Sequence, residues 1–178
     1  MADIKIENII VSASVAKSLD LPQLSEDMPD SKYNPDEVPT LFLHIEDPKT
    51  AAILFSNGKA IIIGSKSIEE AESVVKTITE RLNALILKVN KKPEIKIENI
   101  VGSTEMNKNL DLQKISEVIK GSKYNPEVFP GLIYKTDNPN IVILVFNSGK
   151  IVCNGTDSEE ITSAIKKLTD ELSSVRLI

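Results

Sequence analysis

The chain has one cysteine and one histidine among its 178 residues. A lone Cys153 excludes an intrachain disulfide and a zinc site built from cysteine clusters, and it suits a reducing, intracellular setting. No apolar run approaches the roughly 20 residues of a membrane-spanning helix. The opening MADIKIEN also lacks the basic segment and apolar stretch of an export signal. A soluble, unexported chain with no membrane partner is therefore expected. Positive charge is scarce as well: 21 Lys and Arg stand against 26 Asp and Glu, a formal net charge of -5. Whole-molecule repulsion of that sign disfavours a ligand held mainly through phosphates, although net charge does not describe any one face. What is present is ordinary for a soluble protein, with 41% hydrophobic and 26% charged residues, enough for one large domain or two small ones.

The chain repeats itself. IKIENIIVS at 4–12 returns as IKIENIVGS at 95–103, an offset of 95 − 4 = 91. The same offset pairs LDL at 19–21 with LDL at 110–112, SKYNP at 31–35 with SKYNP at 122–126, and Phe55 with Phe146. It also pairs Gly58-Lys59 with Gly149-Lys150 and Gly64 with Gly155, so one offset without a gap is expected over the whole length. A period this long is an internal duplication rather than a solenoid repeat. Two pseudo-twofold-related repeats are expected, 1–90 and 91–178, joined by the polar segment KVNKKPE at 88–94.

Each copy carries the same order of elements. An alternating strand, IKIENIIVS, precedes a short helix around LDLPQLSEDM, matched by LDLQKISEVI in the second copy. After the YNP loop, PTLFLHIED, AAILFS and KAIIIG form strands, the last two joined through a hairpin at Asn57-Gly58. A long helix closes the copy. Ser67 with Glu70 three residues on marks its start, and Ser158 with Glu159 and Glu160 in the first turn marks the second. Ala71, Val74, Val75, Ile78 and Leu82 fall on one helical stripe.

The strands have one apolar face too many. AAILF, AIIIG and IVILVF are apolar at nearly every position, whereas a sheet covered on one side should alternate. Two helices per copy would lie on one side of an antiparallel sheet and leave the other open. Ile53, Phe55, Ile61 and Ile63 share that parity, as do Leu144, Phe146, Val152 and Asn154. Either a partner covers this face, or the two halves bury it by packing sheet on sheet.

Residues that could do chemistry are sparse. His44 has Lys135 as its repeat partner, which favours a cationic role over catalysis. Cys153 pairs with Ile62 and reads as a small core hydrophobe. The Gly-Lys pairs at 58–59 and 149–150 lack the first glycine and the Ser/Thr of a phosphate loop, and a hairpin is the wrong setting for one. No carboxylate pair or metal-ligand cluster recurs at useful spacing, so neither an enzyme nor a cofactor is expected.

The duplicated order IENI(V), LDL, YNP, FPGLIY, a proline, ILVF, SGKIVCNG and SEE resembles the TATA-box-binding protein family over nearly the whole chain. The resemblance implies an α+β saddle, with a curved ten-stranded antiparallel sheet and four helices on its convex face. The concave side would meet the DNA minor groove, and this family is itself a standing example of kinking by inserted apolar side chains. A·T pairs offer acceptors without the guanine amino group, so an apolar surface with few donors can prefer them. By resemblance, Asn8 and Asn99 donate to base acceptors, and Ile10, Val101, Ile53, Leu144, Ile61 and Val152 press on sugars and bases. Phe55 with Val38, and Phe146 with Phe129, take the two wedge positions. His44, Lys49, Lys59, Lys66, Lys135 and Lys150 fall where relatives carry cations toward phosphates.

Several positions depart from the family pattern. Val38 replaces a wedge phenylalanine, Ile63 and Asn154 replace threonines, and Thr40 stands opposite Gly131 in the repeat. At the 91-residue offset Asp157 and Asn140 oppose Lys66 and Lys49. A weaker kink is expected at the first-copy end. The resemblance further implies a general initiation factor that bends promoter TATA elements and recruits transcription factor B, through Glu127 and Val128, and RNA polymerase. Two alternatives stand beside it: a paralogue with altered promoter choice or weak DNA binding, and a saddle-fold interaction module. The acidic balance and the absence of a long low-complexity extension point to an archaeal source, with a cytoplasmic, nucleoid-associated location; a eukaryotic source would imply the nucleus. Dimerisation is one way the free protein could hide its apolar face.

Overall fold

The computed structural model describes residues 3–85 and 88–178. The described residues fold as two compact units: those from 8 to 98 form the first half, and 3–7 together with 99–178 form the second half. The elements are β1 (Lys5–Ser14), α1 (Leu21–Asp27), β2 (Ser31–Asn34), β3 (Val38–Ile45), β4 (Thr50–Leu54), β5 (Lys59–Ser65) and α2 (Ile68–Ala84). They continue as β6 (Ile95–Glu105), α3 (Leu112–Val118), β7 (Ser122–Lys123), β8 (Leu132–Lys135), β9 (Val142–Val145), β10 (Lys150–Gly155) and α4 (Ser158–Ser174). Ten antiparallel strands and four helices make this an α+β fold.

In the first half the strands run in the order β2-β3-β4-β5-β1. Alternation sorts their residues: Leu41, Leu43, Ala52, Leu54, Ala60, Ile62, Val11 and Ala13 are buried. The long helix α2 packs on β5 and buries Ala71, Val74, Val75, Ile78 and Leu82, the stripe expected from the sequence. Each Val, Leu or Ile removed from water in this way contributes about 1.5–3 kcal/mol before conformational entropy is counted. Asn57-Gly58 makes the expected hairpin, with Gly58 at φ 79° and its N–H donating to the Phe55 carbonyl. A Cβ on Gly58 would lie 1.9 Å from the Ala16 carbonyl oxygen, so both conformation and space demand glycine here.

The second half repeats this in the order β6-β10-β9-β8-β7, with α4 on β10. Its core includes Ile100, Leu132, Ile143, Val145, Ile151 and Cys153, under Ile161, Ile165, Leu168 and Leu172 of α4. Cys153 is a core hydrophobe as expected, and burial pushes its thiol up to about 12.

The short helices share a cap that the sequence reading overlooked: Asp20 accepts from the Gln23 N–H, and Asp111 from the Lys114 N–H. The long helices differ. Ser67 caps α2 as expected, accepting from the Glu70 N–H, while Glu70 reaches back to the N–H of Lys66. The α4 cap is Asp157 rather than Ser158, because its carboxylate one residue earlier accepts from the N–H groups of both Glu159 and Glu160. Matching Ser67 to Asp157 gives an offset of 157 − 67 = 90. The second half therefore has one residue fewer between Gly155, the counterpart of Gly64, and the cap of its long helix. Lys66 has no counterpart, and Asp157 is a helix cap rather than a cation lost from the surface.

The joining segment is tethered to the first half. Val89 bridges Ala16, and Asn90 donates its backbone N–H to the Val15 carbonyl and its side-chain amide to the Ser14 carbonyl. Among the described residues, no helix is long and apolar enough to cross a membrane.

Candidate nucleic-acid interface

The sheet face turned away from α2 is organised in cross-strand rows. In the first half one row reads Lys32, Phe42, Ile53, Ile61 and Ser12; a second reads His44, Ala51, Ile63 and Ile10. The second half gives Lys123, Ile133, Leu144, Val152 and Ser103, then Lys135, Val142, Asn154 and Val101. Directly opposed residues share a face, so these rows place the expected apolar contacts side by side. Ile10, Ile53, Ile61, Ile63, Val101, Leu144 and Val152 are all half-buried, whereas their neighbours on the helix side are buried. The apolar face is accordingly more open than the helix-covered face in each half.

The rows also contain residues that sequence reasoning did not single out: Phe42, Ile133, Ala51, Val142, Ser12 and Ser103. Their parity with His44, Lys135, Ile10 and Val101 was the available signal. Ser12 donates its hydroxyl to Glu98, and Ser103 donates to Glu7 at 2.7 Å. These are repeat-related pairs, one in each half. The serine hydroxyls, followed by Lys96 for Glu98 and Lys5 for Glu7, hold both carboxyls below the usual range.

Asn8 and Asn99 are both half-buried but differently held. The Gly64 N–H donates to Asn8 Oδ1 at 2.8 Å. That bond fixes the amide with its NH2 group as the remaining polar function, a pure donor suited to an acceptor ligand. Gly64 takes φ 104°, and the β1/β5 register shifts between Ile9 and Ile10 at this level. In the second half the β6/β10 pairing runs through without a shift.

The positions expected to act as wedges differ most. Phe129 and Phe146 meet edge to face, with ring centroids 6.0 Å apart and planes at 65°. In the first half, Val38 is 56% exposed and pairs with Asn34. His44, Lys49, Lys59, Lys66, Lys135 and Lys150 are all exposed, and among the described residues none makes an ion pair. They remain available to an anionic ligand. Glu127 and Val128 lie in the loop after Asn125, whose side chain accepts from the Glu127 N–H; Val128 is 80% exposed.

Comparison with known proteins agrees with this architecture. The family model described as transcription factor TFIID (or TATA-binding protein, TBP) matches residues 3–85 and 94–175. A TATA-box-binding protein of Thermococcus sibiricus is 40% identical over 99% of this chain and 96% of its own length. Another, from Archaeoglobus fulgidus, is 39% identical over 98% of this chain and 97% of its own. The solved Methanococcus jannaschii TBP superposes with a TM-score of 0.89 at 36% identity, covering 97% of this chain and 99% of that one. Matches to both repeats, near-complete coverage and a shared fold place the chain in the TATA-box-binding protein family.

Proposed function

We propose that the chain is a general transcription initiation factor that binds promoter TATA elements through the minor groove, bends them, and recruits transcription factor B and RNA polymerase. The carrying observation is the open apolar face, with its rows Phe42, Ile53, Ile61 and Ile133, Leu144, Val152 accompanied by exposed cations that, among the described residues, make no ion pair. Such a surface satisfies the needs of an A·T minor groove: apolar pressure on sugars and bases, few donors, and cations for the phosphates on either side. Asn8 supplies a donor whose orientation is set before the ligand arrives. Repeats 1–90 and 91–178 each supply a half-site. Phe129 and Phe146 act as a wedge at the second-half end, unstacking a base step as they enter. Glu127 and the exposed Val128 offer a contact for transcription factor B beside that wedge. The protein works on DNA and not as an enzyme, in the cytoplasm with the nucleoid of an archaeal cell.

The test is a gel-shift titration of a TATA duplex against a G·C-substituted duplex, with and without transcription factor B and across salt concentrations. A TATA-selective complex that the factor strengthens is expected. Charge reversal at Glu127 should abolish the strengthening without altering binary binding. Selectivity for another sequence would favour a paralogue with altered promoter choice, a reading to which Val38, Thr40, Ile63 and Asn154 lend support. No complex on any duplex would leave an interaction module. A salt slope shallow for the number of contacts is expected, because apolar burial rather than counterion release supplies most of the affinity.

A further inference from the structure

The loop carrying the first wedge position is built differently from its repeat. In the second half, Gly131 is closely surrounded: a Cβ there would stand 2.7 Å from Phe129 Cε1, 3.1 Å from Phe146 Cε1 and 3.3 Å from the Val145 carbonyl oxygen, so the Phe129 ring would have to shift. The ring of Phe129 thus lies over a glycine, and β8 begins only at Leu132. In the first half Thr40 occupies that glycine position and Val38 the ring position. Both are β-branched and favour extended backbone, and β3 indeed begins at Val38, pairing with Asn34. Two residues beyond Thr40 on the same face stands Phe42, 38% exposed, between Lys32 and Ile53. Its counterpart in the second half is Ile133.

We propose that the first half has moved its aromatic contact from the wedge position to Phe42, and that Thr40 fixes the move by filling the space an aromatic ring at position 38 would need. Phe42 then determines the fit of this half to the minor groove, lying flat on the sheet face rather than at the loop tip. The inference rests on the minor-groove reading above. It makes Val38 and Thr40 a coupled pair, so that Val38→Phe alone cannot rebuild a wedge. Thr40 acts as a positioning residue through its neighbours, and Phe42 touches the ligand.

The experiment compares the natural protein with V38F, V38F/T40G, F42I and F42V. Nuclear Overhauser contacts between the rings at 38 and 55 are read in the free protein, and affinity and end-to-end distance on a fluorophore-labelled TATA duplex in the complex. V38F alone should show no ring contact and no added bend, whereas V38F/T40G should show both. F42I and F42V should each weaken TATA binding on the order of tenfold while melting like the natural protein. Ring contact and added bend in V38F alone would overturn the role of Thr40, and unchanged affinity in both Phe42 variants would overturn the role of Phe42. If the natural protein binds no duplex, the minor-groove reading fails and Phe42 loses its role with it. The ring contacts still decide the Thr40 pair in that case.

Discussion

The loops after Tyr33 and Tyr124 start from the same five residues, SKYNP, and end as different structures. The first zips into a ribbon, with β2 running to Asn34 and β3 starting at Val38. The second opens after Lys123, and the strand resumes only at Leu132. Two substitutions account for this: phenylalanine to valine removes the ring, and glycine to threonine adds a side chain where the ring edge would be. A ring over a glycine has given way to two β-branched residues of similar size on one strand. The lesson is that the place of the Phe129 ring depends on a residue pair, the ring and the glycine beneath it.

The comparison can be broken most forcefully at Gly131. Gly131→Thr should push Phe129 off Phe146 and convert the second end toward the first, lowering TATA affinity on the order of tenfold, about 1.4 kcal/mol. Retained affinity and an unchanged bend would show that the ring pair does not act as a wedge. A second contrast lies at the long helices. Asp157 accepts two N–H groups and Ser67 one, so Asp157→Ala should cost about 1–2 kcal/mol of stability and Ser67→Ala about 0.5–1, by urea denaturation.

Smaller effects should sharpen the difference between the two asparagines. The Gly64 N–H holds Asn8 in place, so Asn8→Asp, which keeps the acceptor and removes the donor, should weaken TATA binding several-fold with little change in melting. Asn99→Asp would act through the donor alone and should show the same binding loss. The smallest effect is the one the halves share. Glu7 and Glu98 are held low by Ser103 and Ser12, so the folded state prefers the carboxylate. Their stabilising contribution is present above the ordinary glutamate range, near pH 4.3, and is lost as pH falls through the depressed values. Ser12→Ala and Ser103→Ala should each flatten the acid limb of stability against pH by a similar amount.

Much of this was legible in the sequence because duplication reports the same physics twice. The surplus apolar face could be read from AAILF and IVILVF, since parity is fixed by the pleat. The α4 cap could not be read at the 91-residue offset. A one-residue deletion is silent in a short polar junction, where Ser158 and Asp157 are both good caps. Only the stripe Ile161, Ile165, Leu168 and Leu172, in step with Ala71, Val75, Ile78 and Leu82 at 90, records it. Phe42 was overlooked because its counterpart is an ordinary isoleucine. Parity with His44 puts it on the open face, but nothing in the spacing sets it apart from its neighbours there. The Asn8 to Gly64 bond depends on a strand irregularity that no pattern announces.

Residues 3–7 belong with 99–178, and residues 95–98 with the first half. The segment that was copied in evolution is therefore not the segment that packs as a unit. Severing the chain in the KVNKKPE joint would yield two inherited fragments, each carrying a strand end whose neighbours in the fold lie on the other. Either fragment alone would lose the serine–glutamate bond that its own serine makes in the intact chain, Ser12 to Glu98 in one and Ser103 to Glu7 in the other.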